Sequence, residues 1–388
     1  MLARTIVITI SALAASRAHE ACENGGTECA DVWDVQGMLQ LASPASAPAA
    51  GFPKRKGTKK KHPKHSTPTP ISKKKFTPEV WAPIHEAVRA PVQLTCEGES
   101  FLSCWTFFTA SDPTHGDVEY VSEEEAKSLG LFQVNEGVVH LGSLVGQNGP
   151  AKSIRLQSAN RFGESHIFVI DIKHMPTGLG TWPAWWSYGP DWPNNGEIDT
   201  IETVNIEDQA QSTLHTSYGC RMPMVSGIFN PDCNSEDAYE GCGLFGPSNS
   251  GGPPFNSAGG GVFATQWIST GIKMWFWKRA DIPSDITSDS PDSTSWGEPY
   301  VFFPFGDDCP SSHFKDHVLT INLDFCGDWA GNVFPGGLAK CVEYIQDPAN
   351  ADQLKDAYWD INYVKVFAAE ATMGVSSRPD QTVNAIAG

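Results

Sequence analysis

Apolar and polar residues alternate with a period of two in several short stretches of the chain. Residues 138–142, 165–172, 271–277, 318–323 and 359–367 look like strands, and several of them carry this pattern cleanly. Side chains of an extended strand point to opposite faces in turn, so each stretch predicts a strand with one face against a core. Such alternation marks antiparallel sheets that are solvated on one side. Residues 121–130, with Glu123, Glu124 and Glu125 ahead of Ala126, predict a short helix. Residues 247–261 are turn-rich and predict a long loop. There is no internal repeat. Many strands, many turn signals and few helical runs predict an all-β sandwich or barrel.

The globular pattern runs from Leu94 to Ala368. Residues 1–18 predict a secretory signal: a basic start at Arg4, a mostly apolar run over 5–15, and Ser16 and Ala18 as the small residues at the two positions a peptidase reads. That apolar run is too short to span a bilayer. Residues 19–92 hold a Cys-containing segment, followed over 53–78 by a tract of Lys, Pro, Ser and Thr that cannot build a core. This tract reads as a solvated linker or propeptide in preference to a basic tether. A catalytic domain is expected over 93–369 and a frayed polar tail over 370–388.

Charge separates these parts. The formal net charge is −18, yet residues 54–75 hold ten Lys or Arg and no acid. Without them 17 bases face 45 acids, a balance of −28 for the rest. An acidic body repels nucleic acid and other polyanions, so a neutral polymer is the easier partner. Ten cysteines fit an oxidising compartment. They fall into the groups Cys22 and Cys29; Cys96 and Cys104; Cys220, Cys233 and Cys242; and Cys309, Cys326 and Cys341. No CxxC and no zinc spacing occurs, so structural disulfides are expected, with the pairing left open.

The chemistry concentrates in residues 194–205. Glu197, Asp199 and Glu202 interrupt an apolar, β-prone run. Glu197 and Asp199 share a face of a regular strand, while Glu202 points the other way. A β-bulge at Thr200-Ile201 would bring it back. Three carboxylates on one face repel each other, which folding alone does not favour. Two carboxylates flanking a scissile bond are what glycoside hydrolysis uses, about 5–5.5 Å apart in retaining enzymes. A middle acid shares protons with both and tunes them. Trp182, Trp185, Trp186 and Trp192 crowd the stretch just before; they read either as core or as faces on which sugar rings stack. His215 becomes a candidate donor if its strand lies beside the acids. No phosphate-cradling Gly loop follows a strand.

The run Trp192-Pro193-Asn194-Asn195-Gly196-Glu197-Ile198-Asp199-Thr200-Ile201-Glu202 resembles the active-site signature of glycoside hydrolase family 16, in the bulged form of its laminarinase-type members. Asp112-Pro113-Thr114-His115-Gly116, Thr213-Leu214-His215-Thr216, Gly259-Gly260-Gly261-Val262-Phe263-Ala264, Phe325-Cys326-Gly327-Asp328-Trp329-Ala330-Gly331-Asn332 and Asp356-Ala357-Tyr358-Trp359-Asp360-Ile361-Asn362 resemble the fungal-type endo-1,3(4)-β-glucanases of that family. The resemblance spans residues 100–368. It departs at Glu119, where Asn is the family pattern, at 101–105, where Cys104 offers an added disulfide, and at Thr200.

The resemblance implies a β-jelly-roll sandwich of two antiparallel sheets with a concave substrate cleft. It implies a secreted, monomeric, retaining endo-β-glucanase cutting β-1,3 and mixed 1,3-1,4 glucans. Glu197 would be the nucleophile, Glu202 the acid/base and Asp199 their assistant. Trp185, Trp192, His215 and Trp329 would bind substrate. No cofactor is required; a structural calcium on the convex face is compatible with the family, though no compact oxygen-ligand loop announces it. A β-glucan transglycosylase shares the first half-reaction and stands as the alternative. A non-catalytic β-glucan-recognition protein fits less well, because all three acids are present.

Overall fold

A computed structural model of the protein describes residues 91–224, 227–236 and 240–368. The signal, the basic tract, Cys22, Cys29 and the C-terminal tail lie outside the described residues. Strands β1 (Val92–Glu97), β2 (Trp105–Phe107), β3 (Val118–Tyr120), β4 (Phe132–Asn135), β5 (Val138–Leu141) and β6 (Ala151–Ser153) come first. They are followed by β7 (Arg155–Ser158), β8 (His166–His174), β9 (Thr181–Tyr188), β10 (Glu197–Glu202), β11 (Gln211–His215) and β12 (Ile228–Asn230). The last are β13 (Cys242–Phe245), β14 (Gly261–Ile268), β15 (Gly271–Lys278), β16 (Val301–Pro304), β17 (Val318–Phe325) and β18 (Trp359–Ala368).

Two antiparallel sheets hold most of these strands in the expected jelly-roll arrangement. One runs β16-β15-β14-β8-β18-β5-β4, with β1 on the far half of β18. The other runs β12-β13-β11-β10-β9-β17-β7-β2, and β3 and β6 form a small parallel pair. Each strand predicted from alternation is present. The main core lies between the sheets. Leu156, Trp185, Ile198, Ile201, Leu214 and Ile321 of the β10 sheet meet Phe168, Ile170, Phe263, Met274 and Ile361 of the β14 sheet. Burying these faces against each other leaves the other side of the β10 sheet free to carry polar groups.

The predicted short helix is α1 (Glu123–Ser128); Ser122 caps it by accepting from the Glu125 N–H. The stretch predicted as a loop over 247–261 contains α2 (Gly252–Ser257). Pro253 and Pro254 at its start suit a first helical turn, where a missing N–H costs nothing. A third helix, α3 (Leu338–Gln346), follows Gly337 at φ +80°. Among the described residues, no helix is long and apolar enough to cross a membrane.

Among the described residues, four disulfides join Cys96 to Cys104, Cys220 to Cys309, Cys233 to Cys242 and Cys326 to Cys341. Cys220–Cys309 links two sequence groups that spacing kept separate. It ties the segment after β11 to the segment before β17. Cys326–Cys341 anchors α3 to the turn after β17.

Candidate active site

Register decides which side chains meet on the open face of the β10 sheet. Glu197 pairs with His215 on β11 and Tyr188 on β9; Asp199 pairs with Thr213 and Trp186; Glu202 pairs with Gln211 and Ala184. Directly paired residues of antiparallel strands point to the same side, so these are three rows across one face. Ile198, Thr200 and Ile201 turn the other way. The two isoleucines join the core, and Thr200 Oγ1 meets Thr265 Oγ1 of the opposite sheet at 2.6 Å. The register slips after Asp199 against both neighbouring strands. The extra residue is the bulge at Thr200-Ile201, and it places all three acids on one face.

Burial acts on all three acids. It pushes the Glu197 carboxyl well above the ordinary range; the charge of Asp199 adds to this, and a charged His215 and a hydrogen bond with Trp192 oppose it. Burial also raises Asp199 well above its usual value, reinforced by the charge of Glu202 and opposed by a hydrogen bond with Glu197. Glu202 is raised by burial, against the charge of His215 and a hydrogen bond from Trp182. Asp199 is buried and Glu197 and Glu202 are half-buried on either side of it, and carboxyls grouped in this way do not all stay charged at neutral pH; they share protons and titrate as a group. A hydrogen bond between Asp199 and Glu197 itself needs a proton on one of them.

The surroundings fix the trio. His215 Nε2 lies 3.2 Å from Asp199 Oδ2, and its Nδ1 lies 2.9 Å from Ser235 Oγ. Gly241 passes under the ring, where a Cβ would fall 2.8 Å from Nδ1. The Trp182 indole donates to Glu202 Oε1 at 2.9 Å, and its ring stands edge-on to Trp329 at 5.8 Å. The Trp186 indole donates to Asn322 Oδ1 at 2.7 Å, and its ring stacks on Tyr188 at 5.1 Å. Behind Trp186 lies the buried guanidinium of Arg155, 4.4 Å from the Phe108 ring, 5.0 Å from the Trp186 ring and 3.7 Å from Asp112 Oδ1. Asp112 also accepts the N–H groups of Thr114 and Gly116, so the 112–116 segment is held against this end of the sheet.

Residues 105–367 match the family described as "XgeA-like, catalytic GH16 domain". The chain belongs to glycoside hydrolase family 16. It is 41% identical over 293 residues to a probable endo-1,3(4)-β-glucanase of Neosartorya fischeri, covering 70% of this chain and 44% of that protein. The chain thus spans less than half the length of that curated relative. An elongating family 16 β-1,3-glucosyltransferase has a similar solved structure, with a TM-score of 0.67 and 36% identity, covering 72% of this chain and 99% of that one. Laminarinase 16A of Phanerochaete chrysosporium, solved with 6-O-glucosyl-laminaritriose in donor and acceptor sites, gives a TM-score of 0.66 at 36% identity, again covering 72% and 99%.

Within this family 16 domain the sequence-predicted aromatics divide. Trp192 lies on the loop between β9 and β10, 37% exposed and bonded to Glu197. Trp329 reaches the open face through Trp182. Trp185 corrects the expectation that it binds substrate: it is buried in the core against Trp105. Along unbulged β9, even-numbered positions face the acids and odd-numbered ones face inward, so Trp182 and Trp186 take the place expected of it. The sequence offered these two only as members of the tryptophan cluster, and it pointed to neither Arg155 nor Asn322. Glu119 lies on β3, exposed and paired with Lys152 at 3.3 Å. Among the described residues, the group of metal-ligating side chains with donor atoms within 4.8 Å is Glu197, Asp199 and His215. These belong to the acid site, so they do not fit a calcium on the convex face.

Proposed function

We propose that this family 16 chain is a secreted, retaining endo-β-glucanase that hydrolyses β-1,3 and mixed 1,3-1,4 glucosidic bonds. The observation that carries this reading is the bulge, which sets Glu197, Asp199 and Glu202 on one face beside the half-buried indoles of Trp182 and Trp186 and the exposed indole of Trp192. Glu197 attacks the anomeric carbon while Glu202 gives its proton to the leaving oxygen, forming a glycosyl ester on Glu197. Water then attacks that carbon, Glu202 takes its proton, and the ester bond breaks with net retention. Asp199 holds the shared proton, which leaves Glu197 anionic for attack. His215 steadies Asp199, and Trp192 and Trp329 bound the sugar site.

The same reading assigns residues 1–18 to a signal removed on export, 19–92 to a spacer, and 93–369 to the catalytic domain of a monomer. Four disulfides support an oxidising destination. Transfer to a sugar acceptor stands as the second reading, because the structural relative described as a glucosyltransferase is 36% identical. The test is Glu197→Gln assayed on laminarin, lichenan and curdlan, with circular dichroism to confirm folding. The expected result is a folded protein that releases no reducing ends. Full activity in that variant would refute the mechanism.

A further inference from the structure

Two large aromatic side chains stand on the face that carries the acids, on the side of β10 away from Trp182 and Trp186. Phe245 is 49% exposed and Phe229 is 43% exposed. Their place follows from register. Glu202 pairs with Gln211, and Gln211 pairs with Phe245, so these three side chains form one row across β10, β11 and β13. Leu244, the chain neighbour of Phe245, packs on the core, so Phe245 faces outward; Phe229 sits at a register shift between Ile228 and Asn230 and is placed by the approach of its ring to Gly243. Strands are spaced by about 4.8 Å, so Phe245 lies roughly 10 Å from Glu202 across the sheet.

Gly243 completes the surface. It lies opposite Thr213, which pairs with Asp199. A Cβ on Gly243 would fall 2.8 Å from Phe229 Cζ and 2.9 Å from Thr213 Oγ1. The missing side chain therefore lets the Phe229 ring lie down over the sheet beside the acid rows. The two rings are 5.6 Å apart and tilted by 50°. An angled pair suits a chain whose successive rings turn, as β-1,3-linked glucose units do. Exposed aromatic rings beside an edge strand are a liability unless something covers them.

We infer that Phe229 and Phe245 form an acceptor-side platform on which the β-glucan chain stacks, extending the cleft from Glu202 across β11, β13 and β12. The inference rests on the reading of this chain as a β-glucan-cleaving enzyme. With Glu202 as the acid that protonates the leaving oxygen, the inference takes the end of its row that carries Phe245 as the leaving-group side and the indoles of β9 as the donor side. In the second half-reaction the ester bond at Glu197 breaks as the anomeric carbon bonds to water or to an acceptor hydroxyl, and Glu202 takes the proton in either case. A sugar held on the platform presents its hydroxyl in place of water, so the platform sets the share of transfer against hydrolysis.

The test compares wild type with Phe229→Ala/Phe245→Ala and with Phe229→Leu/Phe245→Leu, which keeps apolar bulk without a flat face. Each is assayed on laminarin and on 4-nitrophenyl laminaribioside, whose leaving group is too short to cover the platform. Transfer is read by mass spectrometry with added laminaritriose. The expected result is that kcat/KM on laminarin falls about tenfold more than on the nitrophenyl substrate. The ratio of transfer to hydrolysis falls with it, for Ala and Leu alike. Equal losses on both substrates, or no change in the ratio, would overturn the platform while leaving the glucanase reading in place. A wild-type chain that acts on neither substrate would overturn both.

Discussion

His215 Nε2 stands 3.2 Å from Asp199 Oδ2, with the ring held from its other nitrogen by Ser235. A charged imidazole there lowers the carboxyl pKa values of both Glu197 and Glu202. His215→Gln removes that charge, so both values rise. Ionised Glu197 then appears only at higher pH, and protonated Glu202 persists to higher pH. Both limbs of the kcat/KM profile should move toward alkali together. A profile that loses height without moving would show that His215 acts by shape alone.

Asp199 links activity to stability with opposite signs. Its folded-state value is raised well above 3.8. Below 3.8 the acid is protonated in both states and costs nothing. As pH rises, the unfolded chain ionises while the folded chain keeps its proton, so stability is lost up to the folded value. Asp199→Asn should gain nothing in melting temperature near pH 3 and progressively more toward pH 7, while glucan hydrolysis falls. Thermal melts across that range check it; a gain independent of pH would assign the effect to packing.

His317 acts at the acid end. It is fully buried, contacts Ser187 Oγ at 2.9 Å and Asn195 O at 2.8 Å, and has its pKa lowered by burial from 6.5 to about 4. Its neutral form favours the fold above pH 6.5, and this contribution is lost as pH falls toward 4. The loss is about 3 kcal/mol across that window. Urea titrations of wild type and His317→Gln should diverge above pH 6.5 and converge near pH 4.

Arg155 carries the end of the cleft beyond Trp186. Arg155→Met leaves the Asp112 carboxylate buried without its cation and should cost about 3 kcal/mol in urea unfolding. Arg155→Lys restores charge but not the flat contact with Phe108 and Trp186, so it should recover only part. Equal stability for Lys and Arg would mean that stacking contributes little.

The strands and the acid site were legible because both obey the same rule of alternation. The bulge could be located because Glu202 broke that rule. Which of two adjacent tryptophans faced the acids could not be read, since alternation separates Trp185 from Trp186 without saying which faces inward. Arg155, Asp112 and the disulfide between Cys220 and Cys309 depend on contacts between distant segments, which spacing does not encode. Phe229 and Phe245 sit on strands of three and four residues, too short to show a period.

The bulge also gives the catalytic strand one residue of slack. Removing either Thr200 or Ile201 would leave Glu-x-Asp-x-Glu, a plain pleat in which every acid still faces the open side of the sheet. Adding a residue at the same place would also restore an even spacing, four positions from Asp199, so the last acid would keep its face but stand one pleat further along the strand. A change of length by one in either direction therefore does away with the bulge and alters the reach between the carboxyls, not the side they share.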